Sequence, residues 1–479
     1  MLLRQTLQYF PAQFFGPVFQ FVSILTWTHY LSPTDLGLVA LVTAVQELSL
    51  AATLGWFSHY TLRYAGGFQG AAKSYLDTET FVILLSGAMT MAIVLCLPRV
   101  VEAEWTWPLL AAAVLQSVGR VAVGQLSDRS RTWGDPVSYS ILQIGWPVGG
   151  FFVALVLVLL VEPTATAVLA GYAMAQAAAL LAVLMRIEKG AHPERVSREL
   201  MAKAATYALP LVIGTVLIWV ANNGIRFVVE WRDGAAAVGL VSVGWSIGLR
   251  IASVAAMVVT AAGFPLALAR ARDGGPGAGQ AQLARNGLLL AAVLAPSAAG
   301  LWMIADALVP LFVGAQFQEV TAAILPASIL AGAARNFRIH CGEQVFLLHE
   351  RPVVPLINDA VDAAAALLLG GFGLWYAGLP GLVAGAALGA VVSLAVTMIW
   401  AWWDHGFAIP GPDMARIGIA TLVMMGAILA LPTAGSPLTL GIVVVTGAAV
   451  FAAAMALLYP AERRKAMALA GGLLQRGNA

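Results

Sequence analysis

The stretch Tyr207-Ala208-Leu209-Pro210, an apolar run holding Asn222-Asn223-Gly224-Ile225-Arg226, a polar turn Glu230-Trp231-Arg232-Asp233-Gly234, and a second run from Gly239-Leu240-Val241-Ser242-Val243 toward Arg250 read as two membrane spans joined by a tight turn. A helix needs about 20 predominantly apolar residues to cross a bilayer, and both runs supply them. Each run also carries an arginine near its middle. A guanidinium at that depth is costly unless it faces a bundle interior or a water-filled space, so two on consecutive spans point to a hydrated, cationic cavity.

The rest of the chain has the same character. Over 479 residues, 60% are hydrophobic and only 10% charged, a balance that soluble domains do not tolerate. Apolar runs at 5–31, 35–60, 79–98, 106–126, 137–161, 164–186, 205–229, 236–268, 287–313, 320–348, 353–376, 380–403, 416–432 and 438–459 predict fourteen transmembrane helices. The fold class is therefore an all-α polytopic membrane protein with no soluble domain for separate chemistry. Met1-Leu2-Leu3-Arg4 has one positive charge and no small-residue cleavage pattern, which reads as a retained first span rather than a signal peptide. Cys96 and Cys341 both fall in apolar runs and form no CxxC, so neither a disulfide framework nor a metal site is expected.

Charge on the connections gives an independent test of the span count. On alternate connections from the N-terminus lie Arg4; Arg63 and Lys73; Arg129 and Arg131; Arg186, Lys189, Arg195, Arg198 and Lys203; Arg270, Arg272 and Arg285; Arg351; Arg416; and Arg463, Arg464, Lys465 and Arg476. The opposite connections hold only Arg99 and Arg232, accompanied by Glu102, Glu104, Glu230 and Asp233. The positive-inside rule then places both termini in the cytoplasm. Arg120, Arg226, Arg250, Arg335 and Arg338 remain within spans.

The longest hydrophilic connection divides the chain into an N-terminal lobe over 1–190, a linker over 191–204, a C-terminal lobe over 205–403, two additional spans over 404–459 and a basic tail over 460–479. Across the linker there is an internal echo. Phe10-Pro11 with Gly16 matches Leu209-Pro210 with Gly214, and Asp35-Leu36-Gly37-Leu38 matches Ala237-Val238-Gly239-Leu240, at offsets of about 200 residues. Two repeated lobes around a central cavity are a common transporter plan. Gly381, Gly385 and Gly389 form a small-residue face suited to close helix packing, and the tryptophans near span ends suit an interfacial aromatic belt.

Four patches resemble the polysaccharide-transporter branch of the multidrug/oligosaccharidyl-lipid/polysaccharide (MOP) superfamily, which includes the Wzx-type O-antigen and exopolysaccharide flippases. They are Tyr30-Leu31-Ser32-Pro33-Thr34-Asp35-Leu36-Gly37-Leu38 at the first turn, Leu62-Arg63-Tyr64 at the end of span two, the stretch from Tyr207 to Val243, and Gly373 followed by Leu379-Pro380-Gly381-Leu382-Val383-Ala384-Gly385-Ala386. The resemblance covers most of the chain through scaffold-like motifs. It implies a MOP/MATE-like fold and a flippase moving a polyprenyl-diphosphate-linked oligosaccharide between leaflets of a bacterial inner membrane, with a polysaccharide polymerase and a chain-length regulator as partner proteins. Two positions depart from the pattern: Ile225 stands where an aspartate usually precedes the span-seven arginine, and Val241 where a tyrosine usually follows Gly-Leu.

For such a substrate, Arg226 and Arg250 are the candidate diphosphate ligands, because guanidinium groups take phosphate oxygens bidentately. Asn222, Asn223 and Gln46 are candidates for sugar hydroxyls, and Arg335 and Arg338 either line the same cavity or pair with Glu343, Asp359 or Asp362. Arg63, Lys73 and Arg120 form a candidate cytoplasmic entrance for the anionic headgroup. Glu47, Asp306 and Glu343 are candidates for ion coupling or for a standing ion pair. His340 and His349 have no second half-site for a metal, no nucleophilic triad or P-loop is readable, and no cofactor, metal or nucleic acid is expected. Two other classes remain open. A MATE-like cation-coupled antiporter would favour carboxylates and aromatics over arginines in its cavity, and a membrane glycosyltransferase or polymerase would need longer outer loops.

Overall fold

The computed structural model describes residues 2–68, 73–190, 192, 195–432 and 435–459, apart from the side chains of residues 2–10, 13, 68, 258, 261 and 262. The basic tail expected over 460–479 lies outside the described residues. Among the described residues there is no strand, and fourteen helical rods follow the order read from the apolar runs. They are α1 (Leu2–Tyr30), α2 (33–64), α3 (Lys73–Leu95), α4 (Trp107–Thr132), α5 (Pro136–Leu160), α6 (Ala165–Leu184), α7 (198–233), α8 (235–274), α9 (Pro276–Phe312), α10 (Ala315–Leu348), α11 (353–376), α12 (379–405), α13 (Gly411–Leu429) and α14 (Pro437–Leu458). The length and composition of these helices make the chain a multi-pass membrane protein.

Local sequence explains where the rods begin and end. Ser32 caps α2 by accepting from the Asp35 amide with Pro33 at the first helical position, and Thr106, Asp135 and Thr164 cap α4, α5 and α6 in the same way. The turn between α7 and α8 is a single residue, Gly234, at φ 77°. That between α11 and α12 is Ala377-Gly378, with Gly378 at φ 63°. Both are left-handed positions that favour glycine. Three rods contain a π-helical turn, at Leu50–Leu54 in α2, Gly145–Gly149 in α5 and Arg338–Gly342 in α10. The extra residue in such a turn re-aims the side chains beside it, and these turns occur often at functional sites.

The chain forms two compact units. The first contains residues 1–243, 313–320 and 362–382, and the second residues 244–312, 321–361 and 383–479. In the first unit Phe57, Tyr60, Tyr75 and Val121 form one apolar cluster and Val123, Leu142 and Val183 another. In the second, Leu283, Cys341, Phe346 and Phe407 form a cluster beneath α12, and Met424, Ile428 and Val443 join α13 to α14.

Within the first unit, six alternate connections converge at one end, among them the two that carry Glu102, Glu104, Glu230 and Asp233. Glu102 donates its backbone N–H to Glu230 at 2.8 Å, Ala165 to Asp35 at 2.9 Å, and Gly314 to the Thr28 hydroxyl at 2.9 Å. Arg232 donates to the Leu374 carbonyl at 2.5 Å. Gly37 and Gly239 meet reciprocally: a Cβ on Gly37 would overlap the Ala235 carbonyl, and one on Gly239 would overlap the Pro33 carbonyl. Residues 33 and 37 thus meet 239 and 235, their equivalents at the 202-residue offset of the sequence echo taken in reverse order, as a two-fold contact requires. Gly373 and Gly381 approach equally closely where α11 turns into α12, so Gly381 of the small-residue face is a packing position.

Candidate ligand-binding site

In the first unit the sequence candidates of α2 and α7 come together. Trp219 donates its indole N–H to the Ala44 carbonyl at 2.8 Å, which fixes α7 along α2. One turn further, Asn223 bonds Glu47 at 3.4 Å and accepts from Arg226 at 2.8 Å. Asn223 is buried, Arg226 and Asn222 are half-buried, and the Glu47 side chain is exposed although it sits mid-helix. Gln46 is buried, and its Oε1 has no hydrogen-bond partner. Asn223 thus bridges the Arg226 guanidinium and the Glu47 carboxylate, and holds the guanidinium in place.

Arg120 adds to this wall from α4. Its guanidinium stacks 4.3 Å over the Trp146 ring, in the π-helical turn of α5, and lies within electrostatic reach of Asp128 and Glu47. Asp128 accepts a hydrogen bond from Ser58. Arg120 does not stand at a mouth with Arg63 and Lys73. It is twelve residues in from the end of α4, about 18 Å along the helix. Arg63 is exposed and rests against the Tyr64 and Tyr207 rings, 5.6 and 5.4 Å from their centroids, and Lys73 is exposed at the start of α3.

The second unit holds the other candidates. Arg338, 1% exposed, is bonded to Glu343 and to Asp359, the latter at 2.9 Å. Arg335 is buried with its guanidinium 5.5 Å from the Trp245 ring centroid, and Arg250 is half-buried on α8. Asp306 is exposed on α9, six residues before its end at Phe312. Glu343 is thus a buried partner of Arg338, and Asp306 stands apart from it near a helix end.

One charged network was not singled out from the sequence. Glu79 of α3, 1% exposed, pairs with Arg129 of α4 and accepts from Gln125 at 2.9 Å, while Gln125 also donates to Thr61 at 3.0 Å. Apolar runs set the start of span three at 79 and the end of span four at 126, which put Glu79 at the very edge of its span and Arg129 in a connection. The helices extend to Lys73 and Thr132, and the pair is inside. The sign pattern Glu79 against Arg129 on adjacent spans was the available signal. Ile225, at the position where the resemblance leads one to expect an aspartate, is fully buried.

Comparison with known proteins agrees with this architecture. Residues 141–269 match the family described as polysaccharide biosynthesis protein. The lipid II flippase MurJ, in an inward closed conformation, superposes with a TM-score of 0.68 at 13% identity, covering 94% of this chain and 98% of that one. An inward-facing multidrug resistance MATE family transporter of the MOP superfamily gives 0.58 at 14% identity over 84% of this chain and 96% of that one. A MOP-superfamily transporter from Pyrococcus furiosus, described by the reverse polarity of its binding pocket, gives 0.54 at 13% identity over 86% and 96%. No curated protein matches at the level of sequence. These likenesses show the fold, which is the one that MurJ and the MATE transporter share, and the match of residues 141–269 to the polysaccharide biosynthesis family is in line with the resemblance of the sequence patches.

Proposed function

We propose that the chain is a flippase that moves a polyprenyl-diphosphate-linked oligosaccharide, such as an O-antigen or exopolysaccharide repeat unit, from the cytoplasmic to the periplasmic leaflet of a bacterial inner membrane. The observation that carries this reading is the Arg226 cluster: a half-buried guanidinium inside the membrane, oriented by Asn223 beside the exposed carboxylate of Glu47. A diphosphate could take that guanidinium bidentately, at a site where low dielectric strengthens the contact. Arg120 and Arg250 are the further cationic groups of the proposed site, and Asn222 and Gln46 the groups for sugar hydroxyls. Arg338 is left out, because Glu343 and Asp359 together already exceed its charge.

In this reading both termini are cytoplasmic, the lobes 1–190 and 205–403 rock about the site, and α13 and α14 are additions to them. Glu47 either carries the coupling proton or sodium or stands as a permanent counter-ion to Arg120. A polymerase and a chain-length regulator would act on the delivered substrate. A cation-coupled antiporter is the second reading, favoured only by the MATE likeness and by the exposed Glu47.

The test is transport of a fluorescent polyprenyl-diphosphate glycan in proteoliposomes, comparing the parent chain with Arg226→Ala and Arg250→Ala after their folding is checked. The flippase reading expects transport by the parent and loss in both variants. Transport unaffected by both substitutions removes these arginines, and no transport by the parent returns the antiporter.

A further inference from the structure

Along α7, two stripes run side by side. Asn223, Arg226 and Glu230 recur at helical spacing on one, while Gly224, Phe227 and Trp231 recur on the next. The polar stripe faces Glu47 at one point and the Glu102 amide at another. The apolar stripe borders an open groove of about 870 Å³ in the first unit, whose other walls include Val45 and Leu48 of α2, Cys96 past the end of α3 and Leu367 of α11. A Cβ on Gly224 would sit 2.8 Å from Leu367, so the glycine lets α7 and α11 close the groove's floor. No charged side chain lines it, which suits a hydrocarbon occupant and not water.

Charge decides how a lipid would lie in it. The rim, where Cys96 and Trp231 are exposed, belongs to the acidic end of the unit, with Glu102, Glu104, Glu230 and Asp233 against Arg99 and Arg232. An anionic headgroup is disfavoured there. Arg226 lies seven residues below residue 233, about 10 Å deeper along α7. An anionic lipid therefore fits with its phosphate deep, at the Arg226 cluster, and its chain running up the groove toward the rim. A bilayer phospholipid would have to lie the other way, with its headgroup at the membrane surface.

We infer that this groove between α2, α3, α7 and α11 holds the isoprenoid chain of the polyprenyl-diphosphate lipid while its diphosphate lies at Arg226, an inference that rests on the flippase reading. Cys96 lines the groove and is exposed, whereas Cys341 is fully buried, so maleimide alkylation of the native chain reports on the groove alone. The experiment follows the rate of Cys96 alkylation for the full chain in nanodiscs, with added long-chain polyprenyl phosphate or with added phosphatidylglycerol. At twice its Kd the polyprenyl phosphate should slow alkylation to about one third by mass action, and phosphatidylglycerol should leave it unchanged.

Val228→Trp, which fills the groove, should abolish the protection. In case that variant does not fold, a photoreactive polyprenyl phosphate should crosslink to α7 in the unaltered chain. Equal protection by phosphatidylglycerol, or no protection and no crosslink, overturns the inference. Glycan-lipid transport measured on the same preparation separates the two claims. Transport without Cys96 protection refutes the groove and leaves the flippase reading standing. Protection without transport supports the groove as a polyprenyl site and refutes that reading.

Discussion

Arg338 of α10 and Arg226 of α7 both carry a guanidinium into the membrane interior, and their surroundings are opposite. Arg338 is fully enclosed by the second unit and bonded to two carboxylates, Glu343 and Asp359. Arg226 is half-buried in the first unit and bonded to the amide of Asn223, with the exposed Glu47 one bond further on. A cation whose charge is cancelled by enclosed partners holds helices in register and has nothing left for a ligand. A cation that is only half-buried stays within reach of a ligand. The difference teaches that burial, not position in a span, distinguishes an enclosed structural arginine from a candidate for binding. Arg129 with Glu79 belongs to the first kind.

The largest expected effect is on stability at Arg338. Arg338→Ala takes away a cation bonded to two enclosed carboxylates and should cost about 3–5 kcal/mol, read as a lower melting temperature in detergent. If the variant melts like the parent, the contrast with Arg226 is broken. A neutral control comes next. Gly37→Val drives a side chain into the Ala235 carbonyl at the acidic end and should cost about 1–3 kcal/mol without removing any charge. It shows what overpacking alone does to transport, and melting scans of the two variants sharpen the comparison.

A charge outside both sites should matter less. Asp135 caps α5 by accepting from the Val137 and Ser138 amides, and its loss in Asp135→Ala should cost about 1 kcal/mol. Partial burial acts to raise its carboxyl, but hydrogen bonds from Ser138 and Val137 and the nearby Arg186 outweigh it and hold the group below its usual range. Because the folded value is depressed, this contribution is complete above the unfolded value of about 3.9 and fades as pH falls through the folded one. The parent should lose it on acidification and the Ala variant should not, so their melting temperatures should converge. The smallest stability effect, about 1 kcal/mol or less, is expected for Arg226→Ala, because the side chain is half-buried and its bond to Asn223 is to a neutral amide.

Much of the architecture was legible because it rests on sums. Run length and the lysine and arginine bias marked fourteen spans, and the structure brings six alternate connections of the first unit together at one end, as an alternating chain must. The echo between Gly37 and Gly239 was legible as well, and it is a physical contact. Pairing was legible only in part. Arg338 takes two of the three acids that the sequence offered it, Glu343 and Asp359, whereas Arg129 finds Glu79 across 50 positions, and hydropathy counts those two as separate polar residues at the edges of apolar runs. For the same reason Arg120, read as part of an entrance, lies deep on Trp146, because a cation stacked on a ring leaves no mark in a charge count.

The central claim is that Arg226 binds the transported anion and is not needed for the fold. Its most direct test is transport of the fluorescent polyprenyl-diphosphate glycan by Arg226→Ala, with melting temperature measured on the same proteoliposome preparation. A charge-assisted contact is worth about 1.5–3 kcal/mol, so transport should fall by about tenfold or more while melting stays within about 2 °C of the parent. Parental transport by a folded Arg226→Ala protein would contradict the account.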